Sequence, residues 1–101
     1  MKREEVVRIL KRLKRLFSSE GFEIIGIVGS FARGEKFNDI DIVYRTTKFF
    51  EKKYKGWEYF LQIEKIKKIF EQNIGYKIDL INNDTPNEIV KKYILKDLKS
   101  V

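Results

Sequence analysis

Hydrophobic positions change their spacing several times along this chain, and each change predicts an element. Across residues 2–17, Val6, Ile9, Leu10, Leu13, Leu16 and Phe17 recur every three or four residues among lysines and arginines, the pattern of an amphipathic helix. Ser18, Ser19 and Gly21 end it. Residues 22–28 (FEIIGIV) then run almost continuously apolar, which predicts a strand at the centre of a sheet covered on both faces. Residues 39–44 (DIDIVY), rich in β-branched side chains, predict a second strand. Residues 48–72 read as helix with a break near Gly56, and Phe60, Ile63, Ile66 or Lys67, and Phe70 mark its buried side. Asn73 and Gly75 close that helix, since glycine accepts the left-handed conformation a helix end requires. A third strand follows at 76–81 (YKIDLI), then a turn at 82–86 and a last helix over 86–98 with Pro86 in its first turn.

The order α-β-(short turn or helix)-β-α-β-α predicts an α/β (α+β) fold, a small mixed sheet of about three strands with helices packed on it. The 101 residues suit a single domain over 1–101. No apolar run approaches the roughly 20 residues that span a bilayer, and no charged-then-apolar leader opens the chain, so the expected setting is cytoplasmic, with no membrane partner.

Composition narrows the chemistry. Cysteine and histidine are both absent, which excludes disulfides, thiolate or imidazole metal sites, and any His or Cys base or nucleophile. A bound metal would take oxygen ligands and would be a hard cation such as Mg²⁺ or Mn²⁺. The 22 basic against 15 acidic residues give a net charge of +7. Residues 1–20 hold seven basic and three acidic side chains and 48–77 hold eight and four, whereas 21–47 hold three and four. The basic excess therefore reads first as the solvated faces of two helices, with a nucleic-acid surface as the less favoured alternative. The aromatic and glycine signature of an RNA-recognition motif is missing.

Residues 29–41 (GSFARGEKFNDID) concentrate the remaining candidates. Gly29 and Ser30 follow an apolar strand and Gly34 lies five positions on, so the backbone can approach a ligand and present amides to phosphate oxygens, with the Ser30 hydroxyl as a further donor. Taken alone, the same residues also suit a plain strand-to-helix turn. The P-loop pattern is excluded, because Glu35 and Lys36 stand where it requires Lys and then Ser or Thr. Asp39 and Asp41, two apart on a strand, leave the same face with Cα atoms roughly 6.5–7 Å apart, while Ile40 and Ile42 point to the core. Two carboxylates so close repel one another, and a divalent cation would relieve the repulsion; a solvated strand end is the ordinary alternative. Asp79 repeats the arrangement between Ile78 and Leu80. If the second and third strands are neighbours, three carboxylates meet beside Gly29 and Ser30, equipment suited to attack on a nucleotide phosphate.

GSFARG followed by NDIDIVY and later by YKIDLI resembles the nucleotidyltransferase superfamily that shares its palm with DNA polymerase beta, and in particular the minimal nucleotidyltransferases. The likeness runs from the opening helix through the Pro86 turn. It implies that Gly29 and Ser30 hold a nucleoside triphosphate, that Asp39 and Asp41 bind Mg²⁺, and that Asp79 completes the metal site or helps deprotonate the acceptor. Arg33 and Gly34 match the ARG that often follows the GS, with Arg33 either pairing with phosphate or bracing the turn. The implied reaction is Mg²⁺-dependent transfer of a nucleoside monophosphate, AMP from ATP, to an acceptor hydroxyl. The implied partner is an all-helical HEPN protein, this chain being the antitoxin of the pair, or else a second copy in a homo-oligomer. A catalytically degenerate palm that neutralises its partner by contact is the alternative. Two departures bear on the nucleotide pocket: the link through Glu35-Lys36-Phe37-Asn38 is about two residues shorter than usual, and Asn38 replaces a common Ser. The aromatic run Phe49, Phe50, Tyr54, Trp57, Tyr59 and Phe60 reads as core or protein interface before it reads as a base-stacking surface, and Thr46, Thr47 and Lys48 as a helix cap.

Overall fold

The apolar stripe of the opening segment forms helix α1 (Arg3–Ser18) in the computed structural model, which describes residues 2–101. Val6, Leu10, Leu13 and Phe17 are buried along it, whereas Leu16, on the same predicted stripe, stands 59% exposed. The chain continues through β1 (Phe22–Val28), the single-turn α2 (Gly29–Ala32), β2 (Asp39–Thr46), α3 (Lys48–Lys53), α4 (Trp57–Ile74), β3 (Lys77–Asn82) and α5 (Glu88–Asp97). The mixed α/β fold expected from the pattern is the fold observed.

The three strands lie in the order β1-β2-β3. β1 pairs antiparallel with β2, and β2 pairs parallel with β3 through the crossover made by α3 and α4. β1 is therefore an edge strand, not the central one that its apolarity predicted. Its hydrophobicity reflects helices on both faces, which edge position does not prevent. The free edge is partly closed, because Ile27 exchanges backbone hydrogen bonds of 2.8 and 2.9 Å with Lys99 near the end of the chain. That approach requires Gly26: any Cβ there would overlap the Lys99 carbonyl. Register slips by one residue between Ile24 and Gly26, and this bulge lets neighbouring apolar residues of β1 serve both faces.

The larger core lies between one face of the sheet and helices α1 and α4. Ile40, Ile42 and Tyr44 of β2, Ile78 of β3, and Phe22 and Ile24 of β1 meet Leu10, Phe17, Ile66 and Phe70 there. Burying each such side chain contributes about 1.5–3 kcal/mol. Phe22 is the hub, 4.9 Å from the Tyr44 ring and 6.3 Å from both Phe50 and Phe70. The opposite face carries a smaller cluster in which Val28 and Val43 pack against Ile94 and Val90 of α5. Alternation along β2 then dictates that Asp39, Asp41 and Val43 share this second face, on which α5 packs.

Helix ends follow local chemistry. The Thr47 hydroxyl accepts from the Phe50 amide and caps α3, as expected of this Thr. Gly75, at φ +82°, closes α4. The last helix begins later than predicted: Asn87 is its cap, accepting from the Ile89 and Val90 amides, so Pro86 lies outside the first turn. A side-chain acceptor for two orphan amides outweighs proline's preference for that turn. On α4, Ile66, Phe70 and Ile74 form the buried stripe, while Phe60 is 63% exposed and Trp57 76% exposed. The stripe runs through half-buried Tyr59 and Ile63 to Ile66, Phe70 and Ile74, so Phe60, one residue on from Tyr59 and about 100° round the helix, falls on the outer side.

Candidate functional site

Each acidic residue owes its position to strand periodicity. In β2 the pattern half-buried, buried, half-buried, buried runs through Asp39, Ile40, Asp41 and Ile42, so the two isoleucines anchor the strand and turn both carboxylates outward. β3 aligns with β2 so that Ile78 stands opposite Ile40 and Asp79 opposite Asp41. One carboxylate oxygen from each of Asp39, Asp41 and Asp79 lies within 4.8 Å of the others. Parallel pairing of β2 with β3, which the order of elements left open, is what brings residues forty positions apart into one cluster.

The cluster is electrostatically uncomfortable on its own. Burial first, and then the charges of Asp39 and Asp79, push the Asp41 carboxyl above the usual carboxylate range, while a hydrogen bond from Tyr93 acts against the rise. Three half-buried carboxylates with only oxygen donors are a donor set that suits a hard divalent cation, and the three residues could hold such an ion.

The glycine-serine turn closes the other side. β1 ends at Val28, whose register partner is Asp41, so the first turn of α2 begins beside that carboxylate. Gly29 has φ +81°, and a Cβ built there would stand 2.5 Å from Asp41 Oδ2 and 2.7 Å from the Tyr93 hydroxyl. Glycine is therefore required twice, for its backbone angle and for the space. Ser30 is half-buried on the same turn. Gly34, at φ +79° in open space, only turns the chain out of α2.

The short link that follows is held by aromatic packing. Phe37 sits 4.7 Å from the Phe31 ring and 4.9 Å from Tyr76, bridging the turn to the start of β3. Arg3 of α1 lies over Phe31 at 4.3 Å and donates to the Phe31 and Glu35 carbonyls. Four residues thus suffice to carry the chain from Gly34 to Asp39 with both ends pinned.

Arg33 pairs with two acidic side chains outside the cluster. Its guanidinium binds Asp97 of α5 at 2.6 Å and Glu35 at 3.0 Å, contacts that tie the turn to α5. The structure adds two residues that the sequence pattern passed over. The Tyr93 hydroxyl donates to Asp41 Oδ2 at 3.1 Å, and Asp97, one turn further along α5, holds Arg33. Their only signal in the sequence was the i, i+4 spacing of two polar groups beside the buried Ile94, which many surface helices share. The aromatic run divides: Phe50 is fully buried, while Phe49, Trp57 and Phe60 are exposed, as is Leu61.

Curated protein sequences give no match. Among solved structures, one of a candidate minimal nucleotidyltransferase superposes with a TM-score of 0.76 at 17% identity, covering 100% of this chain and 97% of that one. A toxin–antitoxin structure, MntA-HpeT, gives 0.70 at 14% identity over 93% of this chain and 69% of the other. A toxin–antitoxin with AMP-PNP gives 0.64 at 13% identity over 98% and 71%. At these identities the likeness is one of fold, and the fold is that of the minimal nucleotidyltransferases. The nucleotidyltransferase domain model matches residues 6–100, nearly the whole length, and the chain belongs to that family.

Proposed function

We propose that this protein is a Mg²⁺- or Mn²⁺-dependent nucleotidyltransferase that moves a nucleoside monophosphate, AMP from ATP, onto an acceptor hydroxyl. The observation that carries the reading is the convergence of Asp39, Asp41 and Asp79 within 4.8 Å beside the Gly29 turn. A divalent cation bound by these carboxylates would neutralise phosphate charge and lower the pKa of the attacking hydroxyl. The chain supplies the rest. Gly29 lets the turn close on Asp41, and there the leading amides of α2, Gly29's own among them, which have no intrahelical acceptor, and the Ser30 hydroxyl bind the triphosphate oxygens. Asp79, across from Asp41, accepts the acceptor's proton. The new bond joins the acceptor oxygen to the α-phosphorus, the α–β phosphoanhydride breaks, and pyrophosphate leaves.

The acceptor we assign to a protein partner, a HEPN-type helical toxin for which this chain is the antitoxin. Two structural neighbours belong to toxin–antitoxin complexes, which supports that assignment. Incubation with labelled ATP, Mg²⁺ and the product of the adjacent gene is expected to label the partner, and Asp39→Asn with Asp41→Asn to abolish labelling. Label transfer that survives the double substitution removes the catalytic reading.

One observation favours a second reading, neutralisation by contact alone. Trp57, Phe60 and Leu61 place large apolar groups on the surface at 76%, 63% and 50% exposure. Partner inhibition that persists after loss of all three aspartates selects this reading.

A further inference from the structure

The side of the sheet that bears the carboxylates is covered by α5, and α5 touches the site at two points one helical turn apart. At the first, the Tyr93 hydroxyl donates to Asp41 Oδ2 at 3.1 Å. At the second, Asp97 grips Arg33 at 2.6 Å and so ties the helix to the turn that starts at Gly29. Val90 and Ile94, packed on Val28 and Val43, set the depth of the helix between them. The turn comes equally close: a Cβ on Gly29 would fall 2.7 Å from the Tyr93 oxygen. Turn, strand and helix thus meet at one hydroxyl.

We propose that Tyr93 is a positioning residue for the metal site, holding the Asp41 carboxylate in its ligating orientation while no cation is bound. The inference rests on the functional reading above and extends it to a residue outside the acidic triad. Its physical basis is repulsion. Without a cation, Asp39 and Asp79 drive the Asp41 side chain away from the shared point, and a carboxylate has two free torsions through which to leave. A donor fixed on a packed helix opposes that rotation. Partners behind a metal ligand commonly carry a 10–100-fold share of metal affinity by this means. The hydrogen bond also draws charge from the carboxylate, which acts in the opposite direction; orientation outweighs it because all three ligands must converge at once. Tyr93 stands on the Gly29 side of Asp41, the side assigned to the triphosphate, so it is placed to orient this ligand and not to compete with the acceptor at Asp79.

Mn²⁺ binding by calorimetry on the full chain, without nucleotide, tests the proposal. Tyr93→Phe keeps the ring and removes the donor; it is expected to weaken Mn²⁺ binding about tenfold while leaving the thermal midpoint of the metal-free protein nearly unchanged. In turnover with ATP and partner, the same variant is expected to raise the Mn²⁺ concentration needed for half-maximal rate more than it lowers the rate at saturating metal. Unchanged or tighter Mn²⁺ affinity in Tyr93→Phe overturns the proposal. A lowered midpoint with unchanged affinity also overturns it, by showing a purely structural role. Asp39→Asn with Asp41→Asn separates the two levels of inference: binding that survives it refutes the metal site itself, whereas binding lost there but intact in Tyr93→Phe refutes only the role of Tyr93.

Discussion

At the scale of single residues, the five glycines with positive φ carry different loads. Gly29 and Gly34 adopt nearly the same angle, +81° and +79°, yet only Gly29 faces atoms, with Asp41 Oδ2 at 2.5 Å from a notional Cβ. An alanine at either site meets the left-handed penalty of roughly 1–2 kcal/mol. At Gly29 it also pushes Asp41 and Tyr93 aside, adding roughly 1–3 kcal/mol of overpacking. Denaturant unfolding of Gly29→Ala and Gly34→Ala is expected to show the larger loss at 29, with Mn²⁺ affinity lost there and retained at 34. Equal midpoints for the two variants would contradict the close approach between turn and carboxylate. Arg33 shows the converse case, a residue whose role the sequence left open between phosphate and turn, and whose guanidinium is found on Asp97 and Glu35.

At the scale of elements, legibility followed the range of the interaction. Each strand and most helix boundaries could be read because alternation, heptad-like spacing and terminating glycines act within a few residues. Asp39, Asp41 and Asp79 were legible for the same reason, since a charge in a strand next to buried isoleucine is anomalous wherever the strand lies. The position of β1 was not legible. Its apolar run records two covered faces, and only its long-range partners, β2 on one side and Lys99 on the other, make it an edge. Phe60 was misread because it adjoins Tyr59, another aromatic at nearly the same spacing, and it is Tyr59 that lies on the buried side; Tyr93 was passed over because nothing local says which face α5 will cover. The four-residue link is a further instance: its brevity is visible in sequence, but its rigidity comes from Phe31, Tyr76 and Arg3, which belong to other elements. Phe37→Ala is expected to cost roughly 3 kcal/mol, the lower end for truncating a packed phenylalanine, and to loosen the turn relative to β2. Hydrogen exchange across residues 29–38 measures that loosening; protection equal to the parent protein would show that Phe37 is not what holds the link.

At the scale of the whole molecule, the sheet separates stability from chemistry by face. The face under α1 and α4 supplies most of the buried apolar surface, and the face under α5 exposes three carboxylates to one another. The second arrangement lowers the stability of the metal-free fold, and its pH dependence has a definite sign. The Asp41 carboxyl, ordinarily near 3.8, is raised in the folded protein chiefly by burial and then by Asp39 and Asp79. Across the window between the ordinary and the raised value the folded chain binds more protons than the unfolded one, so stability falls as pH rises through it. Above that window the loss is complete and the dependence on Asp41 flattens. Asp41→Asn removes the charge while keeping the shape, and is expected to be more stable than the parent above the window and to lack that decline. Mn²⁺ favours the ionised carboxylates, so added metal should stabilise the parent most where its metal-free form is weakest, and should leave Asp41→Asn almost unmoved. Denaturation midpoints of both proteins across the acid range, with and without Mn²⁺, read out all of these signs together. A parent protein that gains stability from rising pH through the window without metal would show that the carboxylates are relieved by something other than a cation, and the strain attributed to the site would not exist.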